Sequence, residues 1–275
     1  MAEAPVDPRQ RGVSAGEEIL ARDPLRNIVL LKHLEAYPGH ARLHHVRDGD
    51  RHGFLVLLDA SATSWDRRAY PAARHVVLLS SDGPDLTRAL LERVPRGEAL
   101  VFKLPCEEDR AVVAEAFALR RTMCVISFTA PPAGLALLPP EPGVRVSQAP
   151  GEAAFALFAA QDHARGWLEP MLGDGRAFAS IAGPEEAPLA TCFAFANCGP
   201  VWEVGGVFTP EAARRRGHGA RAVRAALREL GLRGLAPRYQ VHESNLASIR
   251  LAESAGLRPF LHLVHYMHEP RNDPA

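Results

Sequence analysis

TPEAARRRGHGARAV, residues 209–223, sets a proline turn, three consecutive arginines and two near-adjacent glycines in front of an apolar-periodic run. From there to residue 231, Ala220, Val223, Leu227 and Leu230 recur at helical spacing, which predicts a helix over 214–231 with Arg221, Arg224 and Arg228 on its open side. The interior of that helix is ordinary and its start is not. Gly217 and Gly219 each cost up to about 1 kcal/mol against alanine inside a helix, and Arg214, Arg215 and Arg216 oppose the positive end of the helix dipole. A bound anion would compensate both: unpaired N–H groups at a helix N-terminus point at it, and missing side chains let the backbone come close. A pyrophosphate fits these demands. The rival reading is a solvated arginine cluster after a proline turn. A G-x-x-x-x-G-K-[ST] loop is missing, as are the third glycine and the acidic residue about 20 positions later of a dinucleotide fold. One arginine knot without an aromatic-lined face is weak support for nucleic-acid binding.

Working outward, the same half of the chain predicts strand 143–149, helix 150–165 and strands 176–182, 188–196 and 201–209. After the glycine-led helix come strand 238–243, helix 245–255 and a closing strand 260–268. A mixed, largely antiparallel sheet with one right-handed parallel step across helix 214–231 accounts for this order. Upstream, TAPPAGLALLPPEPG (129–143) concentrates five prolines and reads as a linker. It divides the chain into domains 1–137 and 138–275. The first half opens on a polar arm to about residue 15. It continues with a helix from Asp23 and Pro24 to Tyr37, strands at 41–46, 53–59, 75–81, 99–104 and 122–128, and helices at 84–94 and 107–118. It carries no glycine-rich phosphate loop, metal-ligand spacing or nucleophile arrangement.

The 275 residues suit two domains, and 47% apolar with 23% charged residues is ordinary globular composition. Acidic and basic residues balance at 32 each, so no global field argues for nucleic acid, an anionic membrane or an acidic partner. Lys32 and Lys103 are the sole lysines. Cys106, Cys124, Cys192 and Cys198 form no C-x-x-C pair and suggest neither zinc nor a disulfide framework. No signal-peptide h-region and no run of 18 apolar residues occurs, which leads to the expectation of a soluble, cytoplasmic protein without membrane contact.

Arg214 through Gly219 match the [QR]-x-x-G-x-[GA] loop of the GNAT superfamily of N-acetyltransferases, and residues 205–223 resemble its strand-turn-helix core. A second stretch, VHESNLASIRLAESAGLRPF (241–260), is similar to that superfamily's N-x-x-[SA] helix and its terminal glycine, through Asn245, Ser248, Gly256 and Leu257. The two motifs lie in the expected order, and the resemblance covers about 140–268. It implies an α/β (α+β) fold of two tandem GNAT-like domains, each a mixed, mainly antiparallel sheet flanked by helices, with the N-terminal one degenerate. The layout resembles the tandem, glycine-N-acyltransferase-like branch.

The resemblance implies acetyl-CoA as co-substrate without a metal. The pyrophosphate would lie on the N–H groups of Arg215, Arg216, Gly217, His218, Gly219 and Ala220, with Arg214, Asn245 and Ser248 also on the cofactor side. Pantetheine would run along Val207, Phe208 and Thr209, and a backbone N–H near Val207 would polarise the thioester carbonyl. A primary amine of pKa near ~10 is protonated at neutral pH, so a base is needed. Glu203, eleven residues before Arg214, stands where members with a glutamate base carry it; the alternative is an outward-facing strand residue. The tyrosine that usually protonates the leaving thiolate is replaced by Ala252. His242 and Tyr266 are possible substitutes. Trp167, Trp202, Phe155 and Phe158 either line an acceptor pocket or belong to the core, and His163 and Arg165 could face an acceptor carboxylate.

The function this implies is N-acyl transfer, acetyl-CoA to a primary amine of a small molecule by direct attack, in a monomer or homodimer. The alternative, motivated by Ala252, is a non-catalytic acyl-CoA sensor. An arginine-mediated contact surface is the third reading.

Overall fold

The structure, a computed structural model, describes residues 14–270. Contacts divide the chain into two units, one running up to Val125 and resuming at Leu261, the other spanning Ile126–Phe260. The chain thus leaves the first unit ahead of the proline-rich stretch and returns to it in the closing strand. Residue 138, where the sequence suggested a boundary, lies inside the second unit.

The first unit contains α1 (Ala15–Leu20), α2 (Ile28–Ala36), β1 (Ala41–Asp48), β2 (Arg51–Asp59), α3 (Ser64–Ala69), β3 (His75–Ser81), α4 (Pro84–Leu91), β4 (Leu100–Leu104), α5 (Glu107–Ala116) and the start of β5 (Arg120–Thr129). β1, β2 and β3 form an antiparallel meander, and β3 runs parallel to β4 from His75↔Leu100 to Leu78↔Lys103. The last strand of the chain pairs antiparallel with β4, Val264 opposite Leu104. Leu55, Val77, Leu79, Phe102 and Val113 centre its core. Residues 1–13 of the expected arm lie outside the described residues, whereas Ser14 closes a capping box with Glu17 at the start of α1. The helix expected from Asp23 starts at Ile28. Asp23 instead accepts the Arg26 N–H in a turn, and the Asn27 side chain bridges the Leu20 carbonyl and Ser80.

The second unit continues with α6 (Pro132–Ala136), β6 (Val144–Ser147), α7 (Glu152–Ala159), α8 (Arg165–Gly173), β7 (Ala177–Ala182), β8 (Ala190–Cys198), β9 (Val201–Phe208), α9 (His218–Leu232), β10 (Ala236–His242), α10 (Leu246–Ser254) and the first residues of β11 (Arg258–His268). Its strand order is β5-β10-β9-β8-β7-β6, with β6 through β9 antiparallel in turn and β9 parallel to β10. The crossover for that step is made by α9, whose apolar stripe of Ala222, Val223, Ala226, Leu227 and Leu230 packs with Trp202, Val204 and Tyr239. The stripe begins at Ala222; Ala220, expected to be buried, is half-buried.

The supposed linker is not loose chain. Leu135 of α6 is buried, and a Cβ on Gly231 of α9 would overlap the Ala136 nitrogen. Arg221 and Arg224 reach Glu141, and Arg228 donates to the Leu138 carbonyl, so the arginine face expected in solvent is covered by residues 138–141. The helix expected over 150–165 is α7 and stops at Ala159; the chain turns at Asp162, whose φ is 60°, and a separate helix, α8, begins at Arg165. Both units are therefore mixed α/β layers of mainly antiparallel sheet and flanking helices, as expected of a tandem arrangement.

Candidate functional site

Two neighbouring glycines inside β9 mark the site. Between Phe193↔Gly205 and Thr191↔Phe208 the register slips, because β9 spends one residue more than β8. Gly206 takes that extra residue with φ +59° and lies against the Phe193 ring, which a Cβ on Gly206 would overlap. Glycine is needed here on both counts. On its other side β9 pairs with β10 only from Val201↔Ala236 to Val204↔Tyr239. Residues 205–208 thus pass beyond the parallel ladder, and Val207, Phe208 and Thr209 present backbone groups to the gap.

The gap leads to the start of α9. Arg215 and Gly217 both adopt left-handed conformations, φ 60° and 77°, within four residues. Alternating hands turn successive N–H groups to one side, the geometry of an anion-binding nest. Gly217 is the N-cap and supplies no side-chain acceptor, and no atom lies within 4 Å of a Cβ built on it. The first-turn N–H groups of His218, Gly219 and Ala220 therefore face an open cradle. Arg214 is tied back through Nε to the Thr209 carbonyl at 3.1 Å, while Arg215 and Arg216 are exposed. Gly219 sits close to Thr209, its Cβ position 3.0 Å from Oγ1. All the loop residues singled out in the sequence come together here.

Glu203 lies two residues before the bulge pair, on the β9 face opposite Trp202 and Val204. Its side chain is 12% exposed, and Oε2 accepts from Asn197 at 2.6 Å and from Arg238 Nη1 at 3.1 Å. Arg238 is fully buried and also donates from Nε to Ser127. The expected base is thus the counterion of a buried guanidinium. Neither Arg238 nor Asn197 stood out in the sequence. The available signal was an arginine inside an apolar strand.

The remaining candidates are dispersed. His242 is exposed at the end of β10 and bonded through Nδ1 to Ser244. Asn245 caps α10 by accepting the Ser248 N–H, and Ser248 Oγ meets Tyr239 Oη at 2.6 Å, so both residues brace the helix. Burial pushes the Tyr239 hydroxyl up to about 12. Ala252 is fully buried. Tyr266, offered as a replacement acid, packs instead in the core of the first unit, opposite Phe102 on β4, because β11 belongs to that unit beyond Phe260. Trp202, Phe155 and Phe158 are core residues, whereas Trp167 is exposed and meets Phe193 and Phe195 edge-on. Arg165 is held by Glu152 and Glu169. Among the described residues no group of three or more His, Cys, Asp or Glu could hold a metal ion, and no helix is long and apolar enough to cross a membrane.

The first unit repeats the parallel step without the cradle. Its four-pair ladder between β3 and β4 also leads to a helix, α4, but Asp82 precedes it and Asp85 lies in its first turn. Arg26 pairs with Asp82 and Arg51 with Asp85. Asp85 thus puts a carboxylate of the protein at the positive end of that helix, while Asp82 accepts the His52 N–H.

In the second unit a parallel strand pair parts in front of an uncapped, glycine-led helix. Residues 137–257 match the Acetyltransferase (GNAT) family. A GCN5-related N-acetyltransferase from Kribbella flavida superposes with a TM-score of 0.52 at 19% identity, over 96% of this chain and 98% of that one. A GNAT-family acetyltransferase from Colwellia psychrerythraea gives 0.57 at 12% identity, over 94% and 97%. A tandem GNAT protein from the clavulanic acid biosynthesis pathway gives 0.50 at 13%, over 90% and 89%. At these identities the likeness is one of fold. No curated protein matches the chain.

Proposed function

We propose that the protein is an acyl-CoA-dependent N-acyltransferase that transfers acetyl from acetyl-CoA to a primary amine of a small molecule by direct attack. The observation that carries this reading is the continuity of the β9 gap with the α9 cradle. The backbone of residues 205–208 on the side beyond the β10 ladder suits the amides of a pantetheine arm, and the N–H groups of Arg215 through Ala220 suit a pyrophosphate. Arg215 and Arg216 add positive charge for the remaining phosphate. At the bulge the Val207 N–H is the donor nearest the place where a thioester carbonyl would gain negative charge. Glu203, fixed by Arg238 and Asn197, gives the acceptor side an anionic wall that attracts an ammonium before it loses its proton.

Ala252 supports a second reading. Lacking a hydroxyl where the superfamily usually has one, the domain could bind acyl-CoA without turning it over.

Calorimetric titration with acetyl-CoA and desulfo-CoA, beside Gly217→Glu, tests the site. Micromolar binding abolished by the variant is the expected result. A native protein that binds neither compound overturns both readings, and binding without CoA release across an amine panel favours the second.

A further inference from the structure

The chain ends α7 in an unusual way. The Asp162 N–H donates to the Ala159 carbonyl at 3.1 Å and the His163 N–H to the Phe158 carbonyl at 3.2 Å, with Asp162 left-handed. These are the two bonds of a Schellman motif, which favours glycine at the left-handed position and an apolar residue after it, packed back on the helix. Here the two positions hold aspartate and histidine. The His163 ring does take the apolar residue's place, edge-on to Phe193 at 4.9 Å and 86°, and Phe158 meets the same ring at 5.2 Å. Phe193 is also the ring that closes on Gly206 at the bulge. The imidazole and the bulge therefore flank one phenyl ring, on the sheet face that carries Glu203.

Neither ring nitrogen of His163 has a protein hydrogen-bond partner among the described residues. The groups around it are the uncharged Phe193 of β8 and the neighbouring Asp162 carboxylate, while Arg165, at the start of α8, is neutralised by Glu152 and Glu169. Burial lowers the His163 pKa below its ordinary 6.5, with Asp162 opposing. The imidazole is thus neutral at pH 7, with a lone pair to offer.

We propose that His163 is the proton carrier of the transfer, an inference that rests on the acyltransferase reading above. The amine nitrogen attacks the thioester carbonyl carbon and the carbonyl π pair moves to oxygen. The N–H proton passes to the His163 imidazole, directly or through one water. The oxygen pair returns, the C–S bond breaks with its electrons on sulfur, and the imidazolium gives the proton to the thiolate. The products are the amide, the free thiol of CoA and neutral His163. One group then serves as base and acid, which accounts for a site whose carboxylate is committed to Arg238 and whose usual tyrosine is Ala252.

The test uses the full chain and His163→Gln. For any amine turned over, kcat/KM of the variant should fall about 100-fold or more, the usual share of a general acid–base group, and its pH profile should lose the inflection below pH 6.5 that His163 adds to the ionisation of the amine. The dissociation constant for acetyl-CoA should stay within about twofold, because a group that only moves a proton during the transfer adds nothing to ground-state binding. Retained turnover with unchanged acetyl-CoA binding overturns the role of His163 and leaves the acyltransferase reading standing; loss of acetyl-CoA binding by the native protein overturns that reading itself. A measurement on the native protein guards against a variant that fails to fold. The NMR signal of the His163 ring should shift on addition of acetyl-CoA and not of adenosine 3′,5′-bisphosphate. A ring signal unmoved by acetyl-CoA while the 214–220 amides respond overturns the proposal.

Discussion

The ring of Phe193 occupies the space in which a Cβ on Gly206 would stand. Gly206 is left-handed as well, so two separate costs attend any side chain there. Gly206→Ala should lose about 0.5–1 kcal/mol or more from backbone strain and roughly 1–3 kcal/mol from overpacking against Phe193. On the acyltransferase reading, which puts pantetheine along the residues after the bulge, acetyl-CoA affinity should fall with it. Pairing the substitution with Phe193→Leu relieves the overlap and leaves the strain. Thermal melting and calorimetry of both variants check this; a Gly206→Ala protein that melts and binds like the native one contradicts it.

Arg238 and Glu203 should couple strongly. Removing either charge alone leaves the other buried and uncompensated, at a cost of about 3–5 kcal/mol. Arg238→Met combined with Glu203→Leu should recover most of that loss in stability, since a buried pair replaced by apolar groups is often neutral. Urea denaturation of the two single variants and the double variant closes the cycle. Additive losses would mean that the pair contributes nothing beyond packing.

How much of this was legible in the sequence depends on whether the signal was local. The α9 start could be read because Gly217, Gly219 and the arginines contradict helix preference within one turn, and the strands of both halves because their apolar runs are short and bounded by turns. The Arg238–Glu203 pair could not: it depends on the parallel register that sets Arg238 beside Glu203, and no spacing along the chain encodes register. The break at Asp162 escaped because the left-handed position carries no glycine. α6 was read as linker because prolines suggest loops, yet Pro131 and Pro132 stand at its N-cap and first position, where proline is tolerated. The closing strand looked like part of the second half, and only its pairing with β4 assigns Tyr266 to the first.

Gly231 offers a case where two rules oppose. Alanine is better than glycine inside a helix by about 1 kcal/mol, which favours Gly231→Ala in α9. The added Cβ, however, would overlap the Ala136 nitrogen and stand 2.6 Å from the Leu135 carbonyl carbon, backbone that cannot rotate away. Overpacking of this kind costs roughly 1–3 kcal/mol, so the variant should be less stable in urea. A gain in stability would mean that α6 yields easily.

Lys103 is the last test and concerns the first unit alone. Its Nζ lies 2.7 Å from Asp66 Oδ1, with side chains 6% and 3% exposed, and 5.2 Å from the Trp65 ring centroid. Burial lowers the Lys103 pKa from its ordinary 10.5, more than Asp66 raises it. Between the lowered folded value and 10.5 the unfolded chain therefore binds more protons than the folded one, and stability rises with pH through that window. The charged form is the one disfavoured by folding, so the contribution is a penalty below the window and fades within it. Urea midpoints between about pH 8 and pH 10.5, compared with Lys103→Met, should show an upward slope in the native protein that the variant lacks. Equal slopes would mean that the attraction of Asp66 fully offsets burial and that the pair is electrostatically neutral to folding.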